Sequence, residues 1–170
     1  MTLLKPLCAA AALLALTTAG AQAQSAKANL INAKGEAAGQ AQFTQTPAGV
    51  LIRLTLSGLP GERAMHIHAV GKCEAPFTSA GGHFNPGNKK HGLQSAEGHH
   101  AGDMPNLVIP ASGSTTVEVL NAAVTLEKGK PNSLIREGGT SIVVHEGKDD
   151  YKSDPAGDAG GRAACGIITE

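Results

Sequence analysis

Val50-Leu51-Ile52-Arg53-Leu54-Thr55-Leu56 is a run of β-branched and aliphatic residues that stops at Gly58 and Pro60. Its length and its bounding turn residues predict a β-strand. Similar segments lie on both sides. Ala28-Asn29-Leu30-Ile31-Asn32-Ala33 runs up to Gly35, Gln40 to Thr44 leads to a Pro47/Gly49 turn, and Met65 to Val70 forms a short run. Further on come Leu107-Val108-Ile109, Thr115 to Leu120, Ser141-Ile142-Val143-Val144 and, closing the chain, Ala163 to Ile168. Short strands punctuated in this way predict an all-β, antiparallel sandwich or barrel. No amphipathic helix of useful length interrupts them.

Composition points the same way. The 22 Gly and nine Pro are scattered without a period, which describes a turn-rich β domain rather than a collagen-like or disordered chain. Aromatic residues are limited to Phe43, Phe77, Phe84 and Tyr151, with no Trp, so the core falls to Val, Ile, Leu and Ala. Lys plus Arg equals Asp plus Glu, at 14 each. That balance gives no footprint for a nucleic acid or an anionic membrane. Beyond residue 23 no stretch could span a bilayer, and no internal repeat is visible.

The N-terminus is a different kind of segment. Lys5 supplies a positive start, Leu7 to Ala19 is Ala/Leu-rich and uncharged, and Ala21-Gln22-Ala23 has the small-x-small pattern of a cleavage site. These features predict a secretory signal over residues 1–23, cut after Ala23, and a periplasmic or secreted protein. About 145 residues then remain (24–170), an ordinary single-domain size. Cys8 lies in the apolar run behind Pro6 and Leu7, a poor lipoprotein site, and leaves with the signal. Cys73 and Cys165 are left as an even pair in an oxidising compartment, where one disulfide is the default.

Two long connections stand out, Gly71 to Pro105 and Glu146 to Gly161. Structureless loops of such length are functional or disordered, and these two carry nearly all the metal-capable side chains. In His66-Ile67-His68 the two imidazoles share one face of a strand while Ile67 takes the other. Alone, that pattern also describes two solvent-facing histidines. His145 ends the apolar run Ile142-Val143-Val144, and His83, His91 and His100 recur along one loop with Asp103 three residues after His100. Three imidazoles and a carboxylate suit tetrahedral zinc, whereas four imidazoles in tetragonal array suit Cu(II). Six of the seven histidines fill both sets only if one is shared. Adjacent residues do not comfortably face one ion, so His100 is taken as the ligand and His99 as solvent-exposed.

Ala64-Met65-His66-Ile67-His68-Ala69-Val70-Gly71 resembles the copper-ligand strand of the copper/zinc superoxide dismutase family, in its bacterial, exported type. Thr78-Ser79-Ala80-Gly81-Gly82-His83-Phe84-Asn85-Pro86, Lys90-His91-Gly92 and His100-Ala101-Gly102-Asp103 are similar to its zinc loop. Val144-His145-Glu146 and Gly160-Gly161-Arg162-Ala163-Ala164-Cys165-Gly166 resemble its last copper ligand and its closing signature. The likeness runs in order from about Lys27 to the end of the chain.

The resemblance implies a Greek-key antiparallel β-sandwich or barrel and the disproportionation of superoxide to dioxygen and hydrogen peroxide. It implies one copper ion on His66, His68, His83 and His145, and one zinc ion on His83, His91, His100 and Asp103, with His83 bridging and handling a proton. It also implies a Cys73–Cys165 disulfide, Arg162 as the guanidinium beside copper, and Asp149 as a carboxylate hydrogen-bonded to His66 and His91. Where the family usually has His-Gly-Phe before the copper pair, this chain has Arg63-Ala64-Met65, and Lys72 replaces a smaller or acidic residue. A non-catalytic metal carrier on the same sandwich would need neither Arg162 nor a shared ligand, and a zinc hydrolase would need a catalytic Glu that is not evident. The sequence leaves a homodimer open.

Overall fold

The computed structural model describes residues 23–170; residues 1–22, which hold Lys5, Cys8 and nearly all of the expected export segment, lie outside it. The described residues form nine strands: β1 (Ser25–Asn32), β2 (Ala37–Thr46), β3 (Gly49–Leu56), β4 (Gly61–Arg63), β5 (Met65–His68), β6 (Leu107–Ile109), β7 (Thr115–Asn121), β8 (Ser141–His145) and β9 (Arg162–Ile167). Seven form one curled antiparallel sheet in the order β5-β8-β9-β1-β2-β3-β7, and β4 pairs with β6. Among the described residues the helical content is one short turn, Thr78–Ala80, and no helix is long and apolar enough to cross a membrane.

β1 and β3 follow the period-2 rule directly. In β1, Ser25, Lys27 and Asn29 are exposed while Ala26, Ala28 and Leu30 are buried. In β3, Val50, Ile52, Leu54 and Leu56 point inward. β2 needs a correction of phase, because its buried residues are Ala38, Ala41 and Phe43. A bulge supplies it: Leu30 pairs with Gly39 and Ile31 with Ala37, leaving Ala38 as the extra residue. Gly39 fits there because a Cβ would lie 2.3 Å from the Thr55 carbonyl oxygen. Phe43, Ile52 and Leu54 are fully buried, each contributing about 1.5–3 kcal/mol of apolar burial.

Two features were not anticipated from the sequence. β4 is Gly-Glu-Arg, with no apolar signal, and is a strand only because its backbone pairs with β6. A third long connection, 122–140, buries Val124, Leu126 and Leu134 in the core. It is tied to β2 by Gln45, whose Oε1 accepts from Thr125 Oγ1 (2.9 Å) and from the Leu126 amide (2.7 Å).

β5 and β8 are buried on both faces. Met65, Ile67, Ile142 and Val144 enter the main core, while Val143 packs with Phe77, Ala80 and Cys165 in a second, smaller cluster. The first long loop runs along the free edge of β5. The Ile67 amide donates to the Gly102 carbonyl (2.9 Å), the Phe84 amide donates to the Ile67 carbonyl (2.8 Å), and His66 and His68 bridge to Asp103 and His83. Gly102 permits this approach, since a Cβ there would fall 2.2 Å from the Ile67 carbonyl oxygen. The Cys73–Cys165 disulfide ties the loop to β9, with a Cα–Cα distance of 5.6 Å and a sequence separation of 92.

Candidate metal centre

β5 and β8 bring three imidazoles to one place. His66 and His68 leave β5 on the face opposite Met65 and Ile67, and His145 stands at the end of β8, where a bulge between Val144 and His145 shifts the ladder. The bridge from His68 to His83 adds a fourth. Potential ligand atoms of His66, His68, His83 and His145 all lie within 4.8 Å of one another, and all four residues are buried. His66 Nδ1, His68 Nε2, His83 Nε2 and both ring nitrogens of His145 are buried without any hydrogen-bond partner. Leaving five such atoms unpaired costs about 1–3 kcal/mol each. A metal ion accepting lone pairs would satisfy four of them, one from each ring, so this donor set fits copper on chemical grounds.

The protonation behaviour agrees with that use. Burial first, then the neighbouring His83, pushes the His68 pKa down to about 2. Burial, with His66 and His83 nearby, takes His145 down to about 3. His83 falls to about 4, mainly by burial, with its Asp103 hydrogen bond offsetting part. Neutral imidazoles offer the lone pair that a metal requires.

A second group shares His83. His83 Nδ1, His91 Nδ1 and His100 Nδ1 lie 2.9, 3.1 and 3.4 Å from Asp103 Oδ1, and the His83 and His100 nitrogens are 3.3 Å apart. A tetrahedron with bonds of about 2.0–2.1 Å has edges of about 3.3–3.4 Å, so these separations suit zinc. Asp103 Oδ2 accepts from the Gly92 and His100 amides at 2.9 and 3.0 Å, which aims Oδ1 at the three rings. Burial works against the Asp103 carboxylate, but bonds from His100, His83, His91 and the Gly92 amide hold its pKa far below the usual range.

Asp149 joins the two groups. Its Oδ2 accepts from His66 Nε2 at 2.7 Å and its Oδ1 from His91 Nε2 at 3.0 Å, leaving each Nδ1 to face its own group. For His91, burial opposes the charged form, but bonds to Asp103 and Asp149 outweigh it and its pKa rises to about 9. Asp149 is held below the usual carboxylate range, its burial outweighed by the bonds from His66 and His91. His99 is exposed, and its Nδ1 donates to the His100 carbonyl at 2.7 Å.

Arg162 opens β9 opposite His145. Its Nη1 donates to the Phe77 carbonyl at 2.5 Å and its Nη2 to the Gly81 carbonyl at 2.7 Å, and that same Gly81 oxygen accepts from His68 Nδ1 at 2.9 Å. Burial lowers the Arg162 pKa, but an arginine stays charged.

One supporting residue escaped the sequence reading. Asn106 donates from Nδ2 to the Asp149 carbonyl (2.9 Å), accepts the Asp149 amide at Oδ1 (2.8 Å), and gives its own amide to Tyr151 Oη (2.7 Å). The clamp lies between loops 43 residues apart. An Asn three residues after Asp103 looks like any loop Asn, so the only available signal was its place in the family-like stretch.

The family profile described as "Copper/zinc superoxide dismutase (SODC)" matches residues 37–168. Two similar proteins come from Aquifex aeolicus. Superoxide dismutase [Cu-Zn] 1 is 57% identical over 87% of this chain and 89% of its own length. Superoxide dismutase [Cu-Zn] 2 is 54% identical over 94% and 95%. Among solved structures, a SOD-like protein from Bacillus subtilis has a TM-score of 0.81 at 36% identity, covering 84% of this chain and 97% of that one. The Cu/Zn superoxide dismutase from Brucella abortus has a TM-score of 0.70 at 26% identity, covering 86% and 100%.

Proposed function

The chain belongs to the copper/zinc superoxide dismutase family, and we propose from that premise how its own residues divide the work. Its reaction is the disproportionation of two superoxide ions and two protons to dioxygen and hydrogen peroxide, and its cofactors are copper and zinc. Copper would be held by His66, His68, His83 and His145, and zinc by His83, His91, His100 and Asp103. The single observation that carries this division is the set of buried ring nitrogens without partners, converging from four histidines.

When bound, copper supplies the one-electron exchange with successive superoxide ions, while zinc supplies fixed charge and loop order without redox change. His83 has one ring nitrogen toward each group, so a proton held at its Nε2 would lie on the side of the copper group. Asp149 fixes the ring planes of His66 and His91 together, and such carboxylate–histidine contacts commonly contribute about 10–100-fold to metal affinity or activity. Arg162 offers a permanently charged, weakly hydrated guanidinium to a small anion. Its two carbonyl partners hold it in place.

Residues 1–23 are read as the export signal, leaving a dismutase domain of residues 24–170 in the periplasm or outside the cell. Superoxide is the small-molecule substrate; no nucleic acid or membrane partner is proposed. The disulfide between Cys73 and Cys165 accords with an oxidising compartment.

Metal analysis and superoxide disproportionation on the purified chain lacking residues 1–23 test the reading. One copper and one zinc per chain are expected. His83→Ala should disturb both sites and abolish most activity, whereas His68→Ala should empty copper and spare zinc. An unchanged zinc affinity and copper spectrum in His83→Ala would refute the shared ligand.

A further inference from the structure

The four proposed copper ligands are not equally supported. His66 Nε2 is held by Asp149, His68 Nδ1 by the Gly81 carbonyl, and His83 Nδ1 by Asp103. His145 is held less firmly: neither of its ring nitrogens has a partner within hydrogen-bonding geometry. The orientation of its ring therefore depends on the backbone that carries it.

That backbone is held by the two residues ahead of Met65. The His145 amide donates to the Ala64 carbonyl at 2.9 Å, and the Ala64 amide donates to the Gly147 carbonyl at 2.7 Å. Between them, Arg63 Nη1 donates to the Glu146 carbonyl at 2.6 Å. The rest of the guanidinium is anchored on its own segment, with Nε and Nη2 donating to the Pro60 carbonyl at 3.1 and 2.9 Å. All three bonds end on backbone carbonyls, so the side chain acts as a strut from β4 to the residue after His145. A planar, charged fork with several fixed donors can bridge two carbonyls in this way, and a charged donor makes each bond stronger than a neutral one would.

We propose that Arg63 is a positioning residue for copper, setting the backbone of His145 and the start of the 146–161 loop. It does the job that ring hydrogen bonds do for the other three ligands. The inference rests on His145 being a copper ligand.

The experiment compares Arg63→Met, Arg63→Lys and His145→Ala, each loaded with copper and zinc. Readouts are copper affinity by chelator competition, the copper(II) electron paramagnetic resonance spectrum, zinc affinity, and amide exchange at residues 145–147 in the metal-free protein. Arg63→Met should weaken copper roughly tenfold, in the range seen when a residue that orients a ligand is lost. It should also change the copper spectrum, speed exchange at 145–147 and leave zinc affinity unchanged. Arg63→Lys, which keeps one charged donor, should recover part of the affinity. If Arg63→Met does not fold, Arg63→Gln, two bonds shorter and uncharged, is read on the same scale.

A native copper affinity and spectrum in the foldable variant would overturn the proposal. So would equal losses of copper and zinc, because that is general destabilisation. If His145→Ala itself leaves the copper spectrum native, the ligand assignment fails, and the role of Arg63 falls with it.

Discussion

β1–β3 and the β5/β8 corner are built from similar strands but stabilised by different means. β1–β3 bury one face, and their alternation of small polar and apolar residues is sufficient to orient them. At the β5/β8 corner both faces are buried, and the outer face is covered by loops with little apolar content of their own. Those loops are held by backbone pairing to the edge of β5, by a disulfide, and by polar side chains such as Asp103, Asp149, Asn106 and Arg63. The difference teaches that one half of the barrel is a hydrophobic scaffold while the other is a framework assembled on it. Damage to each should therefore look different.

The largest effect is expected from the scaffold. Phe43→Ala removes a fully buried ring and should cost about 3–5 kcal/mol of stability. Metal stoichiometry in the protein that remains folded should stay native. Chemical denaturation with parallel metal analysis checks this; loss of metal before unfolding would show that the two regions are not separable.

Next comes the covalent tie. Cys165→Ser should lower stability by about 2–5 kcal/mol, with the damage concentrated on the loop carrying Cys73. Hydrogen exchange should then rise near residues 71–82 while β1–β3 keep their protection. Uniform loss of protection across both regions would erase the distinction. The native protein should also have a mass two hydrogens below its reduced form, so detection of free thiols would remove the bridge from the account.

The smallest effect in energy terms concerns substrate capture. The chain has no formal net charge, so any attraction for an anion must be local. Arg162→Glu is expected to cut the second-order rate with superoxide by about tenfold or more, with normal metal content, and Arg162→Lys should retain much of the rate. Added salt should slow the native protein and flatten the contrast between variants. Rates that do not respond to either change would assign Arg162 to holding Phe77 and Gly81 alone.

Much of the architecture was legible in the sequence, because strands that bury one face announce themselves by pattern. Val50 to Leu56 and Leu107-Val108-Ile109 needed almost no revision. β4 was invisible, since Gly61-Glu62-Arg63 contains nothing apolar and pairs only through its backbone. The connection at 122–140 has no strand-like signal of its own, because it is held by burying Val124, Leu126 and Leu134 and by one Gln side chain on β2. For the candidate site, six of the seven histidines, Asp103, Asp149 and Arg162 could be singled out by type and motif. Asn106 could not, and Arg63 stood out only as a departure from the family pattern, because an amide or guanidinium acting on distant carbonyls resembles any surface polar residue.

Residue chemistry and period alone determined that this chain is an all-β domain with two imidazole-rich groups, since donor type and strand alternation are local properties. The tertiary structure decided which ring nitrogen faces which group, which residues hold the ligands in place, and why both faces of β5 are dry. Those outcomes depend on contacts such as His66 to Asp149 and Arg63 to Glu146, each spanning 83 residues. Chain separation of that size leaves no imprint on neighbouring residues, so only the folded sheet with its loops brings the partners within hydrogen-bonding distance.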